Sequence, residues 1–259
     1  MNSYIHLSKI ILTTLVLALM LPSVTMAANN TEWPGRHEVR FAMPDLGNVL
    51  SGDSKCIIMN VLRAVYEPEY LDVRHVAIPY PRAIKETRSG EFHMTLDIQP
   101  SKGLLSARTP IVPYDLSACY FRGKTKWKGL ESLKGQRVAY LYGFDFHTLL
   151  PVEFSRQIVY DLSSAFHLLD RGDIAFILDD HVLLKDAMYE SGFSSHLFEI
   201  SIIKHFKVTP QFSDTPEGRK YLALYDRRMK ELLQSGELTN IYLQDEFSKD
   251  EIKKLFDQK

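Results

Sequence analysis

The sequence predicts an α/β protein made of two similar lobes that face one ligand. Residues 163–180, SSAFHLLDRGDIAFILDD, read as a short helix, a turn at Gly172 and a buried strand over residues 174–178 that ends on Asp179 and Asp180. Residues 81–98, PRAIKETRSGEFHMTLDI, repeat the pattern, with a turn at Gly90 and a strand that ends on Asp97. Gly90 stands as far before Asp97 as Gly172 stands before Asp179. Each unit therefore delivers a carboxylate at the carboxyl end of a strand, where open α/β sheets bind ligands. A lone strand ending on Asp would mean only that Asp starts turns; a matched pair points to binding.

The other elements follow in chain order. Val39, Phe41 and Met43 alternate as a first strand, and the loop over residues 44–53 leaves its carboxyl end. Ser54 is placed to cap a helix that runs to about Glu67, with Ile57, Ile58, Val61, Leu62 and Val65 as its apolar stripe. Pro68 stops that helix. Leu71, Val73, Val76 and Ile78 make a second strand, and Pro81 opens the first helix–Gly–strand unit. Residues 101–113 lack periodicity and are expected to form an ordered loop, followed by a strand over residues 116–121. After the basic stretch 123–129 come a helical turn at 130–134 and a strand through Val138, Tyr140 and Tyr142. Gly143-Phe144-Asp145 opens a short helix, and Ile158-Val159-Tyr160 forms another strand. A helix is expected over residues 181–190 and a strand over 198–203. Asp214 or Thr215 caps the next helix, with Pro216 in its first turn and Leu222, Tyr225, Met229, Leu232 and Leu233 on its apolar face. Ser235-Gly236 stops it, and Ser248 with Glu251 forms a capping box for a last helix buried through Ile252, Leu255 and Phe256.

Composition bounds the function. The 259 residues are 45% hydrophobic and 24% charged, a globular composition, and a net charge of −1 offers no basic excess for nucleic acid. Lys9, the apolar run over residues 10–21, Pro22 and the small-residue site Thr25-Met26-Ala27 have the layout of a signal peptide cleaved after Ala27. The run is well short of the ~20 residues a spanning helix needs. Export makes a disulfide between Cys56 and Cys119 available, with two separate buried thiols as the alternative; their spacing leaves both open. The sequence contains no G-x-S-x-G, H-E-x-x-H or phosphate-cradling glycine loop, and nothing in it asks for a cofactor. Asp179-Asp180-His181 makes a poor metal set, since adjacent residues rarely converge on one ion. His167 reads as a half-buried helix residue.

Four segments together resemble the extracellular solute-binding proteins of family 3, the amino-acid-type binding proteins of ABC importers. YPRAIKETRSGEFHMTL is similar to the family's lobe 1 helix and "G-x-x-D" strand, and LESLKGQRVAYLYGF to its "dLkGkkVgv..Gt" opening of lobe 2. SSAFHLLDRGDIAFILDD resembles "AlqaLqsGrvDAvvtD". FSDTPEGRKYLALYDRRMKELLQSGELTNIYLQ resembles the final "g..l...fn.aL.eLk.sGel..I..ky". The resemblance implies a bilobal, periplasmic-binding-protein-like (type II) fold. Lobe 1 would comprise residues 36–121 plus 204–259, lobe 2 residues 122–203, and a hinge would close both over a small-molecule solute. It further implies a periplasmic monomer that delivers its solute to a membrane ABC permease. The sequence departs from the family at the acidic position after "G-x-x", which is His93 in one unit and Ala175 in the other, and its "T-x-x-x-R" segment is not clean. Two alternatives follow: a dehydratase-like enzyme on the same scaffold, or a sensor or degenerate binding module that no longer transports.

Candidate ligand contacts follow from chemistry. An amino-acid-like solute or small carboxylate needs a cationic fork, for which Arg82 and Arg108 are candidates, or free N–H groups such as those of the Gly143-Phe144-Asp145 turn. A ligand amine needs a carboxylate. Asp180 is favoured to face the cleft while Asp179 caps the following helix, and Asp97 and Asp45 are further candidates. Tyr80, Tyr114, Tyr142 and Phe144 stand at strand ends or in loops, where rings form cleft walls.

Overall fold

A computed structural model describes residues 38–44 and 56–257. The expected signal peptide, the loop with Asp45 and the cap at Ser54 lie outside the described residues. Among the described residues, no helix is long and apolar enough to cross a membrane.

The first half runs β1 (Glu38–Pro44), α1 (Ile57–Tyr66), β2 (Asp72–Ile78), α2 (Tyr80–Arg88), β3 (Met94–Asp97), β4 (Leu104–Ser106) and β5 (Val112–Phe121). Then come β6 (Arg137–Leu141), α3 (Phe146–Leu149), β7 (Ser155–Val159), α4 (Leu162–Arg171), β8 (Phe176–Asp180) and α5 (His181–Glu190). The chain closes with β9 (Phe198–Ser213), α6 (Pro216–Ser235), α7 (Glu237–Gln244) and α8 (Lys249–Phe256).

The strands lie in the order β2-β1-β3-β9-β5-β8-β6-β7, with β4 also on β9. β1 runs parallel to β2 and β3 in a first sheet, and β6 runs parallel to β7 and β8 in a second. Strand β9 joins them. Its residues 198–208 pair antiparallel with β5, and its residues 209–213 pair with β3 and β4. The β5–β9 ladder shifts register once, between Leu116 and Ser117.

The second sheet is buried on both faces. Val138, Tyr140, Phe176, Leu178, Ala118 and Tyr120 pack into one apolar cluster, while the intervening Ala139, Ile177 and Cys119 pack into another with Phe166 and Leu169 of α4 and Leu184 of α5. Adjacent strand residues point to opposite faces, so strands covered on both sides read as continuous apolar runs. The first cluster continues through Ile58 and Leu62 of α1, Tyr225 and Met229 of α6 and Leu255 of α8. Each such fully buried aliphatic or aromatic side chain contributes ~1.5–3 kcal/mol.

Several expectations are corrected. The stretch read as a loop at 101–113 contains β4 and the start of β5. Strand β4 has only three residues and is held by its partner β9, not by a pattern of its own. The strand expected to end at 203 continues to Ser213. Pro210 within it argues against a central strand by local rules, yet its carbonyl accepts from Ala107 N at 2.9 Å. Helix α7 was not expected; it starts directly after Gly236, which also ends α6. Tyr142 and Tyr160 lie just beyond their strands. Cys56 and Cys119 are free thiols: Cys56 stands at the head of α1, whereas Cys119 is buried mid-strand in the other cluster. Burial pushes both thiols up, Cys119 to about 12, so neither is a ready nucleophile.

Candidate functional site

A cavity of about 490 Å³ opens where both sheets meet α1 and the C-terminal helices. Asp97 reaches it from the end of β3, Tyr80 from the first turn of α2, and Pro113, Tyr114 and Asp115 from the first half of β5. Phe144 enters from the turn after β6, and Asp180 and His181 from the β8–α5 junction. Asp245, Glu246 and Phe247 after α7, and Glu251 on α8, close another side. Ile57, Ile58, Leu96, Val112 and Val208 supply apolar wall. The size falls within the range of small-molecule sites.

The polar groups are held as follows. Asp97 is 8% exposed and accepts from the Tyr80 hydroxyl at 3.0 Å, from the Ser101 hydroxyl and from Gln99 N at 3.2 Å. Burial raises its pKa, and these donors offset part of the rise. Asp180 accepts from Val182 N and Asp115 N, both at 2.8 Å; burial raises its pKa too. Asp179 lies behind it, fully buried, and accepts from the Tyr114 hydroxyl at 2.9 Å and Asp180 N at 2.7 Å. Its second oxygen has no partner, and burial pushes the carboxyl up to about 7. His181 Nδ1 is likewise buried without a partner, and burial, followed by Lys185, holds the imidazole below its ordinary value.

The Tyr80 ring stacks on Phe144, with centroids 4.8 Å apart and planes 6° apart, and Phe144 stacks in turn on Phe146 at 5.1 Å. Gly143 allows this contact. Its φ is +98°, and a Cβ there would lie 2.3 Å from Pro81 Cγ. Only glycine takes that backbone conformation at such close approach without strain.

Five of the sequence candidates thus meet at one cavity: Tyr80, Asp97, Tyr114, Phe144 and Asp180. Asp180 lines the cavity as expected, but it also caps α5, the role expected of Asp179, which is instead sealed behind Tyr114. Arg82 does not line the cavity; it reaches along its own helix to Glu86 at 2.6 Å. Arg108 is 89% exposed and faces Asp226 at 3.7 Å, and Tyr142 is 54% exposed against Tyr160. Asp45 is outside the described residues. His93 is buried beside β1, where its Nδ1 accepts from Arg40 N at 3.0 Å. Sequence reasoning missed Asp115, His181, Asp245, Glu246 and Glu251. No local pattern marks Asp245 or Glu246; His181 and Asp115 neighbour positions already singled out, and Glu251 is marked only as half of the Ser248 capping box.

Among the described lining residues there are six carboxylates and neither lysine nor arginine. Among the described residues no three His, Cys, Asp or Glu side chains are grouped to hold a metal ion. The wall can therefore accept hydrogen bonds from a positively charged group and pack against an apolar body.

The fold is the bilobal type II fold of periplasmic binding proteins, the fold of solute-binding proteins of family 3. Among similar solved structures, an ancestral arginine-binding protein bound to arginine has a TM-score of 0.65 and 14% identity, over 81% of this chain and 98% of that one. The substrate-binding protein of an amino acid ABC transporter has a TM-score of 0.62 and 11% identity, over 79% and 96%. A histidine kinase sensor domain with similarity to periplasmic binding proteins has a TM-score of 0.66 and 14% identity, over 80% and 95%. No sequence-family model matches this chain, and no curated protein matches it.

Proposed function

We propose that this chain is a secreted, periplasmic solute-binding protein that captures a small amine-bearing metabolite for an ABC permease. The supporting observation is the cavity at the carboxyl ends of strands from both sheets, with a ring pair and carboxylates contributed by each side. In this reading residues 36–121 plus 204–259 form one lobe and residues 122–203 the other. The β5–β9 ribbon is the hinge, and solute favours the closed arrangement. An amino-acid-like solute fits better than a simple carboxylate, since Arg82 and Arg108 are engaged elsewhere.

A sensor role is the second reading, favoured by the likeness to a kinase sensor domain. The test is to denature the purified protein, identify any released small molecule by mass spectrometry, and screen amino acids, amines and small acids by thermal shift. A binder releases a solute or gains ligand-dependent stability by mass action. Absence of both overturns the proposal, and consumption of the added compound would turn it into an enzyme. Loss of uptake on deleting the gene separates transport from sensing.

A further inference from the structure

Resting on that solute-binding reading, we infer that the cavity selects an organic cation without a carboxylate: an amine or guanidine on a flat or apolar body. An α-amino acid presents both charges, and its carboxylate needs a cationic fork or unspent N–H donors. The described wall holds neither lysine nor arginine, and its one imidazole, His181, whose neutral form burial favours, offers a single ring N–H in place of a cationic fork. The two candidate arginines are tied to Glu86 and Asp226 outside the cavity. Apart from His181, four donors that reach the cavity are already used by protein carboxylates: the Tyr80 hydroxyl by Asp97, the Tyr114 hydroxyl by Asp179, and Asp115 N and Val182 N by Asp180. The amide of Phe144, in the turn suited on sequence grounds to an anion, donates to Leu141 O at 3.3 Å. An anionic ligand group would be stripped of water among six carboxylates, with at most the single His181 imidazole in return.

A cation meets the opposite situation. Carboxylates come from three separate parts of the fold: Asp97 on β3, Asp115 and Asp180 at the β5–β8 edge, and Asp245, Glu246 and Glu251 at the C-terminal helices. No described lysine or arginine is ion-paired with Asp97, Asp180, Asp245 or Glu246, and each carboxylate has about four acceptor sites. The stacked Tyr80–Phe144 pair provides an aromatic surface for a flat body or for the cation itself. The apolar wall and the lack of a converging ligand set among the described residues disfavour a bare metal ion.

The experiment is calorimetric titration of the full mature protein with matched probes: tyramine, tyrosine and 4-hydroxyphenylpropionate, then agmatine, arginine and 4-guanidinobutyrate. It is read together with the identity of any released solute. In at least one series the amine should bind at least about tenfold more tightly than the amino acid, a difference of about 1.4 kcal/mol, and the acid should not bind. Two variants keep the fold while removing charge. D245N keeps an oxygen to accept from the Asn60 amide, and E246G places glycine at a residue whose φ is +67°. Each should weaken amine binding by about tenfold or more without lowering the melting temperature of the empty protein. Amino acids or acids binding more tightly than their amines, a released anionic or zwitterionic solute, or full affinity in both variants overturns the cation assignment and leaves solute binding standing. No released solute and no binding of any probe overturns both.

Discussion

Asp179 is a carboxyl held at about 7 by burial, against an ordinary 3.8, with one oxygen unpartnered. Folding therefore favours its protonated form. Its stabilising contribution is fully present below the unfolded value near 3.8 and is lost as pH rises through about 7. His93 acts in the opposite direction. Burial lowers it from 6.5 to about 4, so its contribution is present above the unfolded value and is lost as pH falls toward 4. The two overlap, so a variant is needed to isolate Asp179. Asp179→Asn keeps an acceptor for Tyr114 and removes the ionisation. Its melting temperature relative to the parent should rise between about pH 5 and about pH 8, and a constant difference across that range would refute this account of Asp179. Its sealed position could not be read from sequence. Adjacent strand residues point to opposite faces, but which face meets the cavity depends on the register of β8 against β5. Tyr80, Asp97 and Phe144 were legible because turns and strand ends place them. Asp245 and Glu246 were not, because only the folding-back of α7 and α8 brings them to the cavity.

The elements with the clearest local chemistry were read most closely. Helix α5 has the expected bounds, Thr215 accepts from Gly218 N at the start of α6, and Ser248 with Glu251 forms the expected box. Caps make these ends visible. Strand β4, the second half of β9 and helix α7 were hidden because each is specified by a partner, not by its own period. One contact between elements can be tested directly. The Gly143 turn lies against Pro81 at the start of α2 and supports the Tyr80–Phe144 stack. Gly143→Ala combines an unfavourable φ with overlap, a cost of about 1–3 kcal/mol from each. The expected outcome is a lower melting temperature and weaker solute binding, both measurable by thermal shift; a variant unchanged in both would show that the turn yields freely.

At the scale of the molecule, the paired helix–Gly–strand units made the two-sheet plan legible, whereas the connection between the sheets was not. That connection is the long strand β9, which hydrogen-bonds to β3 and β4 at one end and along β5 at the other. One continuous run of sixteen residues thus serves both sheets, with one end in each. Neither half can melt without fraying a strand on which the other depends, so heating the ligand-free protein in a calorimeter should give one endotherm, and two resolved peaks would show the halves to be thermally independent. A strand shared in this way makes the two sheets a single cooperative body.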